Sequence, residues 1–342
     1  MSKIGIFAGS DLFTASVLPN VLSGIRELGM RAHVYFPKAK SFAPTTHPAL
    51  RKYRIVESEL LSDVVHPILD HHPVVNNALC FSPFGLAKKS DCPVALVENI
   101  NADAFLDQLE SEKIDSILSI RCLQIFSKEF LMRFEKKSDG FLWNLHCGPL
   151  PTLRGAMPIF WTMLHEKTHA TLSLHEIVSK VDKGRVADAV ATQLEPGLSL
   201  LETTCQPVDA AVELILRSIK NHNEGLIQFS VQNEAIARYY SYPTYSDIER
   251  FLQSGQQMLP PDPIHYIVDK YSAPGSALSQ DLHKKLQAHT QELERSTQDS
   301  PYKYNALQSD RFFSPQSEKK PGEHYLSYKE TPPNNTGSYT PH

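Results

Sequence analysis

Asn144 and His146 stand two positions apart in the run Trp143-Asn144-Leu145-His146-Cys147-Gly148-Pro149, the densest group of reactive and turn-forming residues in the chain. If Gly140–His146 is a strand, both side chains point to one face, because side chains alternate with period two. A Gly/Pro loop follows, so the pair lies at a strand's carboxyl end, where open α/β sheets bind ligands. There an amide offers a donor for a carbonyl oxygen, and an imidazole offers a titratable proton carrier. Asp182 comes 36 residues after His146, in the turn Asp182-Lys183-Gly184 that leads into another strand. A carboxylate returning to that site would orient His146 and hold it in a productive protonation state. Singly these residues signify little, since an Asp before Gly is more often turn chemistry than catalysis. Their combination and spacing carry the reading.

The elements around them alternate. Lys3–Ala8 and Arg31–Phe36 are strand-like, with a helix over Leu12–Leu28 that the turn Gly9-Ser10-Asp11 is placed to cap and that Pro19 is expected to kink or break. A helical stretch near Ser58–Leu69, a helix Asp103–Glu112, a strand Ile114–Ile120, a helix Ser127–Lys136 and the strand Gly140–His146 follow. This βα alternation predicts a mostly parallel twisted sheet with helices on both faces. Next come a helix over Ala156–His165, strands His169–Val178 and Arg185–Leu194, and a strong helix Leu198–Lys220. Leu226–Tyr240 has room for two short strands. Beyond Pro260 the chain turns rich in Ser, Pro, Gln, Lys and Asn, with one amphipathic stretch near Ala277–Glu294, and is expected to be mostly disordered. The role of the Ser41–Phe81 insertion, active-site lid or surface elaboration, stays open.

With 342 residues, 41% apolar and 21% charged, the chain can bury a sizeable core. A net charge of −4 gives no electrostatic footprint for nucleic acid. No apolar run reaches the ~18 residues that cross a bilayer, and the start reads as a strand rather than a signal peptide. A cytoplasmic protein is expected. The five cysteines form no C-x-x-C pair, so neither a disulfide framework nor a thiolate zinc site is suggested. Cys147 abuts the site, but alternation turns its thiol to the face opposite His146, into core packing. His47, His66 and His71-His72 lack an i, i+4 pair with a carboxylate, so no metal is expected. Gly9-Ser10-Asp11 has one glycine where a dinucleotide fingerprint needs three.

The sequence resembles the folate-dependent formyltransferases, the group that includes methionyl-tRNA, glycinamide ribonucleotide and sugar N-formyltransferases. Their signature, approximately N-x-H-x-S-x-L-P-x-x-R/K-G-x-x-P and then H-x6-D-x-G, is matched by Asn144, His146, Leu150-Pro151, Arg154-Gly155, Pro158, His175 and Asp182-x-Gly184. The opening Ile4-Gly5-Ile6-Phe7-Ala8-Gly9-Ser10 and the segment Tyr239-Tyr240-Ser241-Tyr242-Pro243-Thr244 are similar to family segments too, and the resemblance spans roughly residues 1–255.

The resemblance implies an α/β, Rossmann-like formyltransferase fold: a catalytic domain over 1–195, a helical/β extension over 196–258 and a polar, largely disordered tail over 259–342. It implies transfer of the formyl group of 10-formyltetrahydrofolate, without a metal, to a primary amine of a small molecule (an amino sugar nucleotide or a modified amino acid). Asn144 would stabilise the oxyanion, His146 would shuttle a proton, and Asp182 would hold His146. Gly148, Arg154, Gly155 and His175 fall to substrate binding, and Arg121, Cys122, Leu123 and Gly184 to the folate. Gly148 stands where the family commonly has Ser. Arg121 would pair with the folate glutamate or a substrate anion, or be a solvated loop cation. The transfer-RNA branch is disfavoured, because it needs a basic C-terminal β-barrel. A 10-formyltetrahydrofolate hydrolase and a catalytically idle binding protein are the alternatives, and a homodimer contact through Leu198–Lys220 is left open.

Overall fold

The computed structural model describes residues 2–38, 47–71, 79–135, 140–165 and 167–298. Among the described residues nine strands form in chain order: β1 Lys3–Ala8, β2 Arg31–Pro37, β3 Val94–Val97, β4 Ser116–Ile120, β5 Leu142–His146, β6 Arg154–Gly155, β7 His169–Glu176, β8 Val186–Gln193 and β9 Tyr239–Tyr240. Seven of them make one sheet in the order β3-β2-β1-β4-β5-β7-β8, and β6 pairs separately with β9. From β3 to β5 the pairing is parallel; β5–β7 and β7–β8 are antiparallel.

Alternating side chains feed two cores. Ile6, Leu118, Trp143 and Leu145 join the larger one with the helices Leu12–Glu27 and Val208–Asn223. Phe7, Ile117 and Leu142 turn the other way, onto Phe105, Leu109, Phe130 and Phe134 of the helices Asp103–Ser111 and Lys128–Glu135. The central strand β4 is buried at every position, as a helix-covered parallel strand should be. Registers Ala8↔Ile120 and Ile120↔Leu145 bring the carboxyl ends of β1, β4 and β5 into line, with His146 closing β5.

Several expectations are corrected. The helix Leu12–Glu27 runs through Pro19 unbroken, held by Leu12, Val17, Leu18, Val21 and Ile25 on its buried face. Leu198–Lys220 is two helices, Leu200–Cys205 and Val208–Asn223, because Pro207 interrupts the ladder. Leu226–Tyr240 holds, beside β9, only a short 3₁₀ turn at Glu234–Ile236 and a bridge from Ser230 to Val186. The helical stretch of the insertion spans Pro48 to His71, with π-helical turns at Ile55–Glu59 and Leu61–Val65. Its Leu50, Tyr53, Val56, Leu60 and Val65 belong to the larger core, so it is no passive surface addition. Residues 41–46 and 72–78 of that insertion lie outside the described residues.

The largest correction concerns the tail. Helices Pro263–Tyr271 and Ala277–Gln298 are ordered, and Ile267, Val268, Tyr271, Leu278, Leu282 and Leu286 enter the larger core. Leu278, Leu282 and Leu286 repeat every fourth residue, so one helical stripe buries them despite polar surroundings. The boundary at 259 therefore does not separate a tail from the folded unit, and 299–342 lie outside the described residues. Leu282→Ala is expected to cost about 2–5 kcal/mol in urea denaturation of the whole chain, the range for a fully buried leucine. A separable tail would leave the transition unmoved.

Candidate active site

Asn144 and His146 share the β5 face on which Leu142 packs into the smaller core. Antiparallel β7 sets His175 directly opposite Asn144. His175 Nδ1 lies 2.8 Å from the Glu176 carbonyl, which can only accept, so this nitrogen carries the proton. His175 Nε2 then accepts from Asn144 Nδ2 at 3.1 Å. One N–H of the amide is thus fixed, and the other is left for a ligand.

His146 is held at both ring nitrogens. Its Nε2 donates to the Leu153 carbonyl at 2.6 Å, and its Nδ1 faces Asp182 Oδ2 at 3.7 Å. That second distance suits an ion pair and exceeds a hydrogen bond. Asp182 Oδ1 approaches His175 Nε2 at 3.4 Å, and the Gly155 amide donates to Oδ2 at 2.8 Å. Burial alone would push the Asp182 carboxyl up, but the His146 imidazole beside it and the Gly155 amide outweigh that. They hold the group well below the usual carboxylate range. Asp182 sits at φ +54°, a left-handed conformation that Asp tolerates better than most residues. The side chains distant in sequence converge: His146 is 6% and Asp182 8% exposed.

The glycines of the signature are packing requirements. A Cβ on Gly148 would stand 2.9 Å from His146 Nε2, 2.7 Å from Pro158 Cβ and 2.9 Å from the Leu153 carbonyl oxygen. The Ser that is common in the resembled family therefore does not fit here without moving His146. Gly148→Ser is expected to weaken the His146–Leu153 bond and to lower stability by about 1–3 kcal/mol on overpacking grounds; thermal unfolding and the His146 ring resonances in NMR would check both. Gly155, at φ +99°, lies where a Cβ would meet the Tyr240 carbonyl oxygen at 2.1 Å. A Cβ on Gly184 would come within 1.9 Å of the Glu176 carbonyl oxygen, so only a glycine packs there.

Other expected binding residues are also placed differently. Arg154 is not free for substrate: its side chain is fully buried, giving Nε and Nη2 to Gln232 Oε1 at 2.9 and 2.7 Å and Nη2 to Glu234 at 2.8 Å. His175 lies behind Asn144, 3% exposed, and orients that amide instead of touching a substrate. Arg121 is not a solvated loop cation. It turns at φ +53° onto Glu57 at 2.5 Å and Asp11 at 3.4 Å, beside the Cys147 thiol. Burial pushes the Glu57 carboxyl up against the pull of Arg121. Cys122 is half-buried with its thiol near the Gln124 carbonyl, and Leu123 is exposed. Cys147 packs in the larger core, and burial pushes its thiol up to about 11. Two residues escape a sequence reading: Gln232, whose partners lie 48 to 78 positions away, and Ser173, whose Oγ donates to the Gly148 carbonyl at 2.8 Å.

A cleft at the carboxyl ends of β1 and β2, lined by Ser10, Asp11, Phe36, His66, Phe81 and Leu86, lies beyond β4 from His146. Among the described residues, no group of three or more His, Cys, Asp or Glu side chains could hold a metal ion, and no helix is long and apolar enough to cross a membrane.

No family model matches the chain. Among solved structures, it is similar to a sugar 3N-formyl transferase in the presence of dTDP and 5-N-formyl-THF (14% identity, TM-score 0.48, 76% of this chain and 83% of that one). It is similar to the N-formyltransferase from Helicobacter canadensis in complex with folinic acid and dTDP-3-aminofucose (14%, 0.47, 84% and 80%). It is also similar to glycinamide ribonucleotide transformylase 1 from Symbiobacterium toebii (14%, 0.46, 68% and 95%). Likenesses at these scores assign no activity; what the site can do rests on its own atoms.

Proposed function

We propose that the chain is an N-formyltransferase that moves the formyl group of 10-formyltetrahydrofolate to a primary amine of a small molecule, an amino sugar nucleotide or a modified amino acid. The observation that carries this reading is the convergence of Asn144, His146 and Asp182, with Asn144 anchored so that one amide N–H is free. The sequence signature that contains these residues supports it.

The residues fit the chemistry. An unprotonated amine attacks the formyl carbon, a C–N bond forms, and charge develops on the formyl oxygen. The free Asn144 N–H is aimed to receive that charge, already oriented by His175, so no reorganisation is needed during reaction. Asp182, kept ionised beside His146 and the Gly155 amide, is too weak a base to keep a proton itself, and its fixed negative charge instead favours a proton on His146. Because Leu153 holds Nε2–H, proton exchange at His146 runs over the Nδ1 side, where closing a 3.7 Å gap makes a hydrogen bond. Such contacts tighten when a substrate binds. The proton lost by the amine is returned to the folate nitrogen as its bond to the formyl carbon breaks, giving a formamide and tetrahydrofolate. Much of the rate comes from holding donor and amine together. Exposed Leu123 and Val181 offer the apolar surface a pteridine would cover.

The test is product mass. Incubation with 10-formyltetrahydrofolate and a panel of amino sugar nucleotides and amino acids is expected to add one formyl group to an amine, in wild type and not in His146→Ala. Formate release without any acceptor would instead identify a hydrolase.

A further inference from the structure

Asp182 holds a left-handed conformation in the turn Asp182-Lys183-Gly184. Such a conformation persists only where its surroundings over-determine it. The surroundings come from residues 230–240, beyond the seven-stranded sheet. Gln232 is 8% exposed and uses its whole amide. Its Nε2 donates to the Asp182 and Gly184 carbonyls at 2.8 and 2.6 Å, on both sides of the turn. Its Oε1 accepts two bonds from the Arg154 guanidinium. Glu234 then ties Arg154 to Lys183, and the Tyr239 hydroxyl donates to the Val181 carbonyl at 2.9 Å. The opposite bank is pinned as well: Arg154 N and Ala156 N donate to the Arg238 and Tyr240 carbonyls. Between those two amides lies Gly155, whose own N–H holds Asp182 Oδ2, and one residue earlier lies Leu153, whose carbonyl holds His146.

We propose that residues 230–240 form a clip that sets the Asp182 carboxylate against His146, with Gln232 as the positioning residue and Arg154 locking Gln232 in place. This rests on the reading of Asp182 as part of the reacting group. The segment is thus a component of the active site, although it supplies no strand to the seven-stranded sheet and no residue to the signature. A buried glutamine with two donated and two accepted bonds has one orientation only. Removing its donors frees two carbonyls and lets the turn relax away from the imidazoles.

The charged and titratable groups around Asp182 are His146 on β5, His175 on β7, Arg154 on β6, Tyr239 on β9, and Lys183 with its partner Glu234. A selective change at Gln232 leaves all of them in the chain, which makes titration a clean readout. Two variants suffice. Gln232→Met keeps the volume and loses every bond; Gln232→Leu does the same with a branched side chain, and neither adds a charge. The full chain, carrying ¹³C-labelled aspartate and ¹⁵N-labelled histidine, is titrated by NMR with no folate or amine added. In both variants the Asp182 midpoint is expected to rise by about one pH unit or more, because the His146 imidazole and the Gly155 amide move away. The His146 and His175 ring signals should shift with it, in a chain that still folds although it unfolds at a lower temperature. A folded variant with the wild-type midpoint overturns the proposal, and so does lost activity with the midpoint unmoved. Should neither glutamine variant fold, Tyr239→Phe removes one bond at the turn's edge; a smaller rise supports the clip and none overturns it. Since the titration needs no substrate, absence of formyl transfer in wild type would sink the catalytic reading and leave the clip standing.

Discussion

Asn144→Ala is expected to lower formyl transfer by about 10²–10³-fold, the cost of removing one donor from an oxyanion site. The amide spends one N–H on His175 Nε2, so its second N–H is pre-aimed instead of free to rotate. Truncation deletes the aimed donor and also leaves the His175 nitrogen without its partner. An orphaned buried acceptor costs about 1–3 kcal/mol, so the variant should unfold at a lower temperature yet still fold. Asn144→Asp separates the two effects. It keeps the shape but places a carboxylate where negative charge must develop, so it should be at least as inactive as the alanine variant. Single-turnover measurement of formyl-product formation checks both, and equal rates in wild type and Asn144→Ala would remove the oxyanion role.

Asp182→Asn should cost about 10²–10⁴ in rate, the span of a disabled general acid or base, here His146 without the carboxylate that supports its proton transfer. Asn tolerates the left-handed backbone that this position demands, so the turn itself is preserved. What disappears is the charge beside His146 and His175. The same change has a stability signature with a definite direction. The Asp182 carboxyl is held below its unfolded value of about 3.9, so ionised Asp182 favours the folded state. This contribution is fully present above the unfolded value and is lost as pH falls through the lower, folded one. Wild type should therefore lose stability on acidification below about pH 4, and the Asp182→Asn variant should lose less over the same window. Parallel unfolding curves from pH 2 to 6 would show whether that difference exists.

How much of this was legible in the sequence depends on the distance between partners. Asn144 and His146 were readable because two residues on one strand share a face, and a Gly/Pro loop marks the strand's end. The sheet was readable because buried parallel strands are apolar runs separated by helical periodicity. Arg154 and Arg121 were misplaced for one reason: a sequence displays a charge but not what neutralises it. Their partners Gln232, Glu234 and Glu57 lie 64 to 80 positions away, in an irregular segment and a π-helical turn that leave no local pattern. The tail was misjudged because its polar average hides Leu278, Leu282 and Leu286. Three apolar residues on one helical stripe are enough when a core is waiting for them.

The central claim is that Asn144, His146 and Asp182 together receive a formyl group carried by a folate. The most direct measurement is a titration of the full chain with a stable 10-formyl folate analogue, followed by the side-chain NMR signals of these three residues. Saturable binding should shift the Asn144 amide and His146 ring signals together, and Asn144→Ala should weaken that binding or abolish the His146 shift. Binding that leaves all three signals where they were, or no binding at all, would contradict the account.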